Sequence, residues 1–314
     1  MNNDTERLKK EYPLYYKTCE YLRLHSFLYE NIYDIDIEIP VDRVVAEKIC
    51  ADALSICRGS WEEYLSKLDN FLDTTIEFLK LQRQLEKTGK YKYSTFEEVE
   101  REVFKNKNSG ALEGVDYLWG LYFSRIFWIP HHRLTNFFLS EFATVENGNG
   151  ICLEAPTGSG VFLSQFLSLN KGYTGVTVDI SETALSFARK LFDRNQQLTR
   201  VVLSQDDIYK LKDDIKFDRI ICTEFLEHVE DPVAILRILR SLLAEGGKIF
   251  LTTVTWTAFI DHIYLYEDIA GIKRHIAESG FVIEKEYIQS VFSKDAKRLG
   301  ESKVALNFAA ILRM

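Results

Sequence analysis

The hydrophobic pattern of this chain changes character near residue 150. From Leu14 to about Ala143, apolar residues recur every three or four positions, the spacing of one buried helix face. In "WEEYLSKLDNFLDTTIEFLKLQRQLEK" that spacing puts Trp61, Tyr64, Leu68, Phe71, Leu72, Ile76 and Leu79 on a shared face. Ser60 is placed to cap this helix. Ser94, with Glu97 three residues on, is placed to form a capping box at "TFEEVEREVF". Pro13, Pro40 and Pro130 punctuate the helices.

Beyond the polar, turn-rich "VENGNG" the pattern alternates short apolar runs with amphipathic stretches. Strands are predicted at 151–155, 174–179, 201–205, 219–223 and 248–253 and in the terminal "KVALNFAAILRM", with helices at 160–169, 182–195 and 232–244. A βαβ series of this kind builds a parallel sheet covered by helices, with ligands at the carboxyl ends of its strands. The expected fold is α/β: a Rossmann-like sheet of about seven strands with helices on both faces, preceded by an all-helical N-terminal domain. The two domains are 1–146 and 147–314.

Composition narrows the function classes. The 314 residues are 46% hydrophobic and 27% charged, which is enough chain for two cores. A formal charge of -8, with no concentration of Lys and Arg, excludes a general nucleic-acid binder. Cys19, Cys50, Cys57, Cys152 and Cys222 contain no CxxC pair, so neither a disulfide framework nor a cysteine zinc site is expected. "MNNDTERLKKEYPLYY" is too charged for a signal peptide, and no apolar run reaches the ~18 residues of a spanning helix. A cytoplasmic protein that does not enter the membrane is expected.

The stretch "ICLEAPTGSGVF" ends a predicted strand in an acid and then enters a glycine-bearing turn. A dinucleotide site would place a third glycine where Leu163 stands, so a pyrophosphate ligand fits poorly. A ligand without pyrophosphate, such as S-adenosylmethionine, fits better. Asp179, about 20 residues beyond the glycines, ends the next strand, where a carboxylate can accept from both ribose hydroxyls. Ser181 follows it as a helix N-cap.

With "LEAPTGSG", "FDRIICTEFLEHVEDP" and "LLAEGGKIFLTT" in that order, the part from Gly150 to Met314 resembles the class I S-adenosylmethionine-dependent methyltransferases. The resemblance implies S-adenosylmethionine as cofactor. It places Glu154, Gly158 and Gly160 around the methionine portion and Asp179 on the ribose, with Ile180 and Glu224 also in the cofactor set. In "SQDDIYKL" it places Asp207 at the adenine amino group and Ile208 against the ring. Pro156 departs from the family pattern, which has a glycine there.

In that family the acceptor meets the cofactor at the end of the fourth strand, where "TEFLEHVEDP" supplies Glu224, Glu227 and His228. His228 is the candidate general base, with Glu227 and His262 as further catalytic candidates; alternatively Glu227 and His228 orient the loop. Asp261 and His262 are placed to approach His228. Three such ligands with an open position would suit a divalent metal, whereas an Asp-His pair before a helix also makes purely local bonds, and no metal is assigned. The aromatic stretch Tyr117, Trp119, Tyr122, Phe123, Phe127 and Trp128 reads mostly as core, with room for an acceptor pocket. A small-molecule acceptor with an oxygen, nitrogen or carbon nucleophile is expected, the alternatives being a peptide or protein acceptor or a non-catalytic binding scaffold. The helical domain is expected to act as a lid or as a homodimer surface.

Overall fold

The computed structural model describes residues 3–30, 32, 42–105, 114–146, 148–212, 214–292 and 295–314. Pro40 and Asn147, the first residue of the second expected domain, lie outside them.

The sheet comprises β1 (Gly150–Glu154), β2 (Tyr173–Asp179), β3 (Val201–Gln205), β4 (Phe217–Thr223), β5 (Leu243–Thr255), β6 (Val282–Ser290) and β7 (Leu306–Arg313). Their spatial order is β3-β2-β1-β4-β5-β7-β6, with β1 to β5 parallel and β7 antiparallel to both neighbours. The order reverses between β1 and β4, the switch point where such sheets open a crevice at their carboxyl edge. β6 is the strand the hydrophobic pattern does not mark, because "VIEKEYIQS" is an edge strand with little buried surface.

Strand residues alternate between two cores. Cys152, Ile221, Phe250, Ala309 and Ile311 face α8 (Val161–Leu169), α9 (Glu182–Arg194) and the helical half. Leu153, Ile220, Leu251, Ala310 and Leu312 face α10 (Pro232–Leu242) and α11 (Ile269–Glu278). Among the described residues the α-helices of the helical half are α1 (Asn3–Glu11), α2 (Pro13–His25), α3 (Arg43–Ile56), α4 (Trp61–Thr88), α5 (Phe96–Val99), α6 (Val115–Phe127) and α7 (Ile129–Glu141). Its aromatic side chains join the first core: Trp119 meets Phe187 edge-on at 4.9 Å, and Phe138 meets Phe250 at 5.0 Å. At the rim, Lys48 bridges Asp52 (2.6 Å) and Asn195 (2.5 Å), tying α3 to the end of α9.

Two local expectations need correction. The capping box uses Thr95 and Glu98 rather than Ser94 and Glu97: Thr95 is the last extended residue, and the Glu98 carboxylate accepts from the Ser94 and Thr95 N–H groups. On α4 the buried stripe passes through Thr75, whose hydroxyl donates to the Phe71 carbonyl, while Ile76 is 43% exposed. Ser60 caps α4 as expected, accepting from the Glu63 N–H at 3.2 Å.

Candidate active site

The glycine turn leaves β1 through a cis Ala155–Pro156 peptide and enters α8. Gly158 (φ 49°) and Gly160 (φ 72°) both occupy the left-handed region that a side chain disfavours. Their surroundings differ. A Cβ on Gly160 would come within 2.8 Å of the Ala188 Cβ, so this glycine lets α8 and α9 pack closely, whereas a Cβ on Gly158 would meet nothing within 4 Å. Gly158 is thus the position that exposes backbone to open space.

Asp179 ends β2 beside this turn. Its Oδ2 accepts from the Gly158 N–H (3.1 Å) and its Oδ1 from the Ser181 N–H (2.9 Å); burial raises its pKa, and these backbone donors oppose the rise. Ser181 caps α9 as expected. Ile180 is 52% exposed next to Asp179. After β3, Asp207 caps a short turn by accepting from the Tyr209 N–H at 3.0 Å, and Ile208 behind it is buried.

A buried acid and a buried base beside the turn keep polar atoms without a hydrogen-bond partner. Glu154, at the end of β1, is 2% exposed, its Oε2 unbonded, and burial holds its carboxyl well above the usual range. Arg125, on α6, is 6% exposed, lies 4.7 Å over the Phe162 ring and leaves Nε and Nη1 unbonded. Burial disfavours its charge, and the nearby Glu224 and Glu154 favour it. Arg125 was invisible to sequence reasoning, because a lone arginine in "YLWGLYFSRIFW" gives no hint of which element it faces.

At the end of β4 the chain turns sharply at Glu224 (φ 48°), whose N–H donates to the Thr252 carbonyl and whose Oε1 accepts from the Thr252 hydroxyl at 2.6 Å. The next turn, Leu226–His228, brings Glu227 and His228 against the segment that leaves β5. The Ile263 and Tyr264 N–H groups donate to the Glu227 carbonyl at 2.8 and 3.0 Å and hold the two together. Glu227 is fully buried; its Oε2 accepts from the Thr253 hydroxyl at 2.7 Å and its Oε1 has no partner. Burial, reinforced by the Glu224 carboxylate, raises its pKa well above the usual range.

The three expected catalytic residues converge. One ligand atom each from Glu227, His228 and His262 lies within 4.8 Å of the others, and the two imidazoles meet at right angles. Asp261 stands beside His228 (Nδ1 to Oδ2, 3.4 Å), supporting that ring rather than joining the three donors. Burial keeps His262 neutral by pushing its pKa well below the ordinary value, and His228 adds to the effect. From α6, Tyr117 packs on Phe259 at 5.4 Å, where Asp261, Glu227 and Glu224 add to burial in raising its hydroxyl pKa. Gln82 of α4 grips the same segment: its amide donates to the Trp256 carbonyl and accepts from the Ala258 N–H, each at 2.9 Å. Neither contact had a sequence signal, since each joins residues far apart in the chain.

Residues 153–249 match a family model described as a methyltransferase domain. The ubiquinone biosynthesis O-methyltransferase of Xanthomonas euvesicatoria pv. vesicatoria (strain 85-10) is 32% identical over 130 residues, 41% of this chain and 53% of that protein. The enzyme of the same name from Coxiella burnetii (strain Dugway 5J108-111) is 35% identical over 102 residues, 32% of this chain and 42% of that protein. The chain thus spans about half the length of the curated relatives it matches. The structure of the mitomycin 7-O-methyltransferase MmcR superposes with a TM-score of 0.51 at 12% identity, covering 76% of this chain and 68% of that one, a likeness of fold.

Proposed function

We propose, on the premise that the sheet-bearing part of this chain belongs to the class I S-adenosylmethionine-dependent methyltransferase family, that it transfers a methyl group from S-adenosylmethionine to a small-molecule acceptor. One observation carries the proposal: the buried Glu154 Oε2 and the Arg125 Nε and Nη1 have no hydrogen-bond partner beside a glycine turn whose Gly158 flank is open. That pair complements the ammonium and carboxylate of an amino acid, as the methionine portion requires. Asp179 would hold the ribose hydroxyls, and Asp207 and Ile208 the adenine.

S-adenosylmethionine supplies a methyl group already activated by its sulfonium, so positioning and exclusion of water supply most of the rate. The residues of this chain do that work. Tyr117 and Phe259 roof the acceptor side, Gln82 fixes the segment carrying Asp261 and His262, and Glu227, His228 and His262 meet the acceptor. The O-methyltransferase names of the relatives favour an oxygen nucleophile.

Calorimetric titration with S-adenosylhomocysteine tests the cofactor assignment. Asp179→Ala is expected to weaken binding ~10- to 100-fold, the worth of a charge-assisted hydrogen bond, and NAD should not compete. Unchanged affinity in a folded Asp179→Ala protein would remove Asp179 from the ribose.

A further inference from the structure

We propose that the acceptor is a cation, a small molecule whose protonated amine or guanidinium is held by the Glu227 and Asp261 carboxylates beside the Tyr117 and Phe259 rings. This rests on the methyl-transfer reading and names the class of molecule that the site takes. It concerns the group that is held, not the atom that is methylated.

Three carboxylates gather where β4 and β5 end, and among the described residues none of them forms an ion pair with a lysine or an arginine. Glu224 Oε1 accepts from the Thr252 hydroxyl, Glu227 Oε2 accepts from the Thr253 hydroxyl, and Asp261 Oδ2 faces His228 Nδ1 at 3.4 Å. One buried oxygen is left over on each of two residues: Glu227 Oε1 and Asp261 Oδ1 have no hydrogen-bond partner. A buried acceptor in this condition is costly until a donor reaches it. His262 does not balance the charge, because burial keeps it neutral. Arg125, which lies near Glu224, is engaged by the cofactor carboxylate in the same reading.

Aromatic faces adjoin these oxygens. The Tyr117 and Phe259 rings lie 5.4 Å apart with their planes at 35°, and Phe259 stands two residues before Asp261, its ring 6.3 Å from that of His262. Asp261, Glu227 and Glu224 all add to the rise of the Tyr117 hydroxyl pKa, so the three acids act on this one ring. Carboxylates beside π-faces are the chemistry that recognises ammonium and guanidinium groups. Other ligands match the site less well. An anion would meet like charge, and a neutral hydroxyl would donate a hydrogen but leave the carboxylates uncompensated. The sulfonium of the cofactor brings charge without any hydrogen to donate, whereas a protonated nitrogen brings both.

A metabolite extract separated on ion exchangers at neutral pH into cationic, neutral and anionic pools tests this with the full chain and methyl-labelled S-adenosylmethionine. The expected result is label transferred chiefly to the cationic pool. Dilution of that pool gives the half-saturating amount, which Asp261→Asn should raise ~10-fold or more by removing the charge while keeping the shape. Phe259→Leu should raise it roughly 3- to 10-fold with the maximal rate nearly unchanged, and Phe259→Tyr, which restores a π-face, should bring it back. Should Asp261→Asn fail to fold, the Phe259 pair and the wild-type pools carry the same test. Transfer to the neutral or anionic pool that equals or exceeds transfer to the cationic one, or half-saturation unchanged in a folded Asp261→Asn protein, would overturn the proposal and leave methyl transfer standing. No label in any pool, with S-adenosylhomocysteine still bound, would sink the methyl-transfer reading and this proposal with it.

Discussion

A buried charge with unsatisfied hydrogen-bond donors is costly in the protein alone and useful once a ligand supplies the missing acceptors. Arg125 is such a group, 6% exposed with two unbonded nitrogens. Arg125→Met keeps the packing on Phe162 and removes the charge, so the ligand-free protein should melt higher while S-adenosylhomocysteine affinity falls ~10-fold or more; differential scanning fluorimetry and calorimetry read the two effects separately. A variant that loses stability and keeps affinity would make Arg125 structural. Glu154 gives the matching pH prediction. Its folded pKa is raised above the unfolded value of about 4.3, so the folded form holds a proton that the unfolded form releases, and stability falls as pH rises through that window. Glu154→Gln should flatten this slope in melts taken from pH 4 upward, an outcome that an unchanged slope would exclude. At this scale Asp179, Gly158 and Gly160 were legible, because each serves a local turn whose spacing the sequence carries. Arg125 and Gln82 were not, because their partners lie in elements brought close only by packing.

Among the elements, α4 does more than fill the core. Its C-terminal end carries Gln82, 2% exposed, which satisfies both a carbonyl and an N–H of the segment following β5. Gln82→Leu would leave both backbone groups buried and unpaired, at about 1–3 kcal/mol each. Hydrogen exchange measured by mass spectrometry should then speed up across 256–263 while the exchange of β1 and β4 stays as it was. Equal acceleration everywhere would mean global destabilisation instead. Periodicity located α4 and most strands, because burial on one face imprints the spacing. It misassigned Ile76 because the sequence scores Ile above Thr, whereas the actual stripe turns through Thr75, which satisfies its hydroxyl on the helix backbone. It left β6 unmarked because an edge strand buries too little to show alternation.

For the whole molecule, the helical half and the sheet share one core, so the boundary at "VENGNG" separates two sequence patterns rather than two independent packing units. Phe138 and Phe142 cover Phe250 on the sheet at 5.0 and 5.7 Å. A chain beginning at residue 148 should therefore expose an apolar sheet face, aggregate, and lack methyl transfer even where it retains weak cofactor binding. Full activity from that fragment would remove the helical half from the acceptor site. The sequence could show two patterns but not their fusion, since contacts between distant segments leave no periodic trace. The central claim is methyl transfer to a small molecule, and its most direct test is incubation of the full chain with methyl-labelled S-adenosylmethionine and a metabolite extract, followed by mass spectrometry of the small-molecule and protein fractions. The account predicts labelled product in the small-molecule fraction, lost with Asp179→Ala; label confined to protein, or tight S-adenosylhomocysteine binding with no labelled product in either fraction, would contradict it.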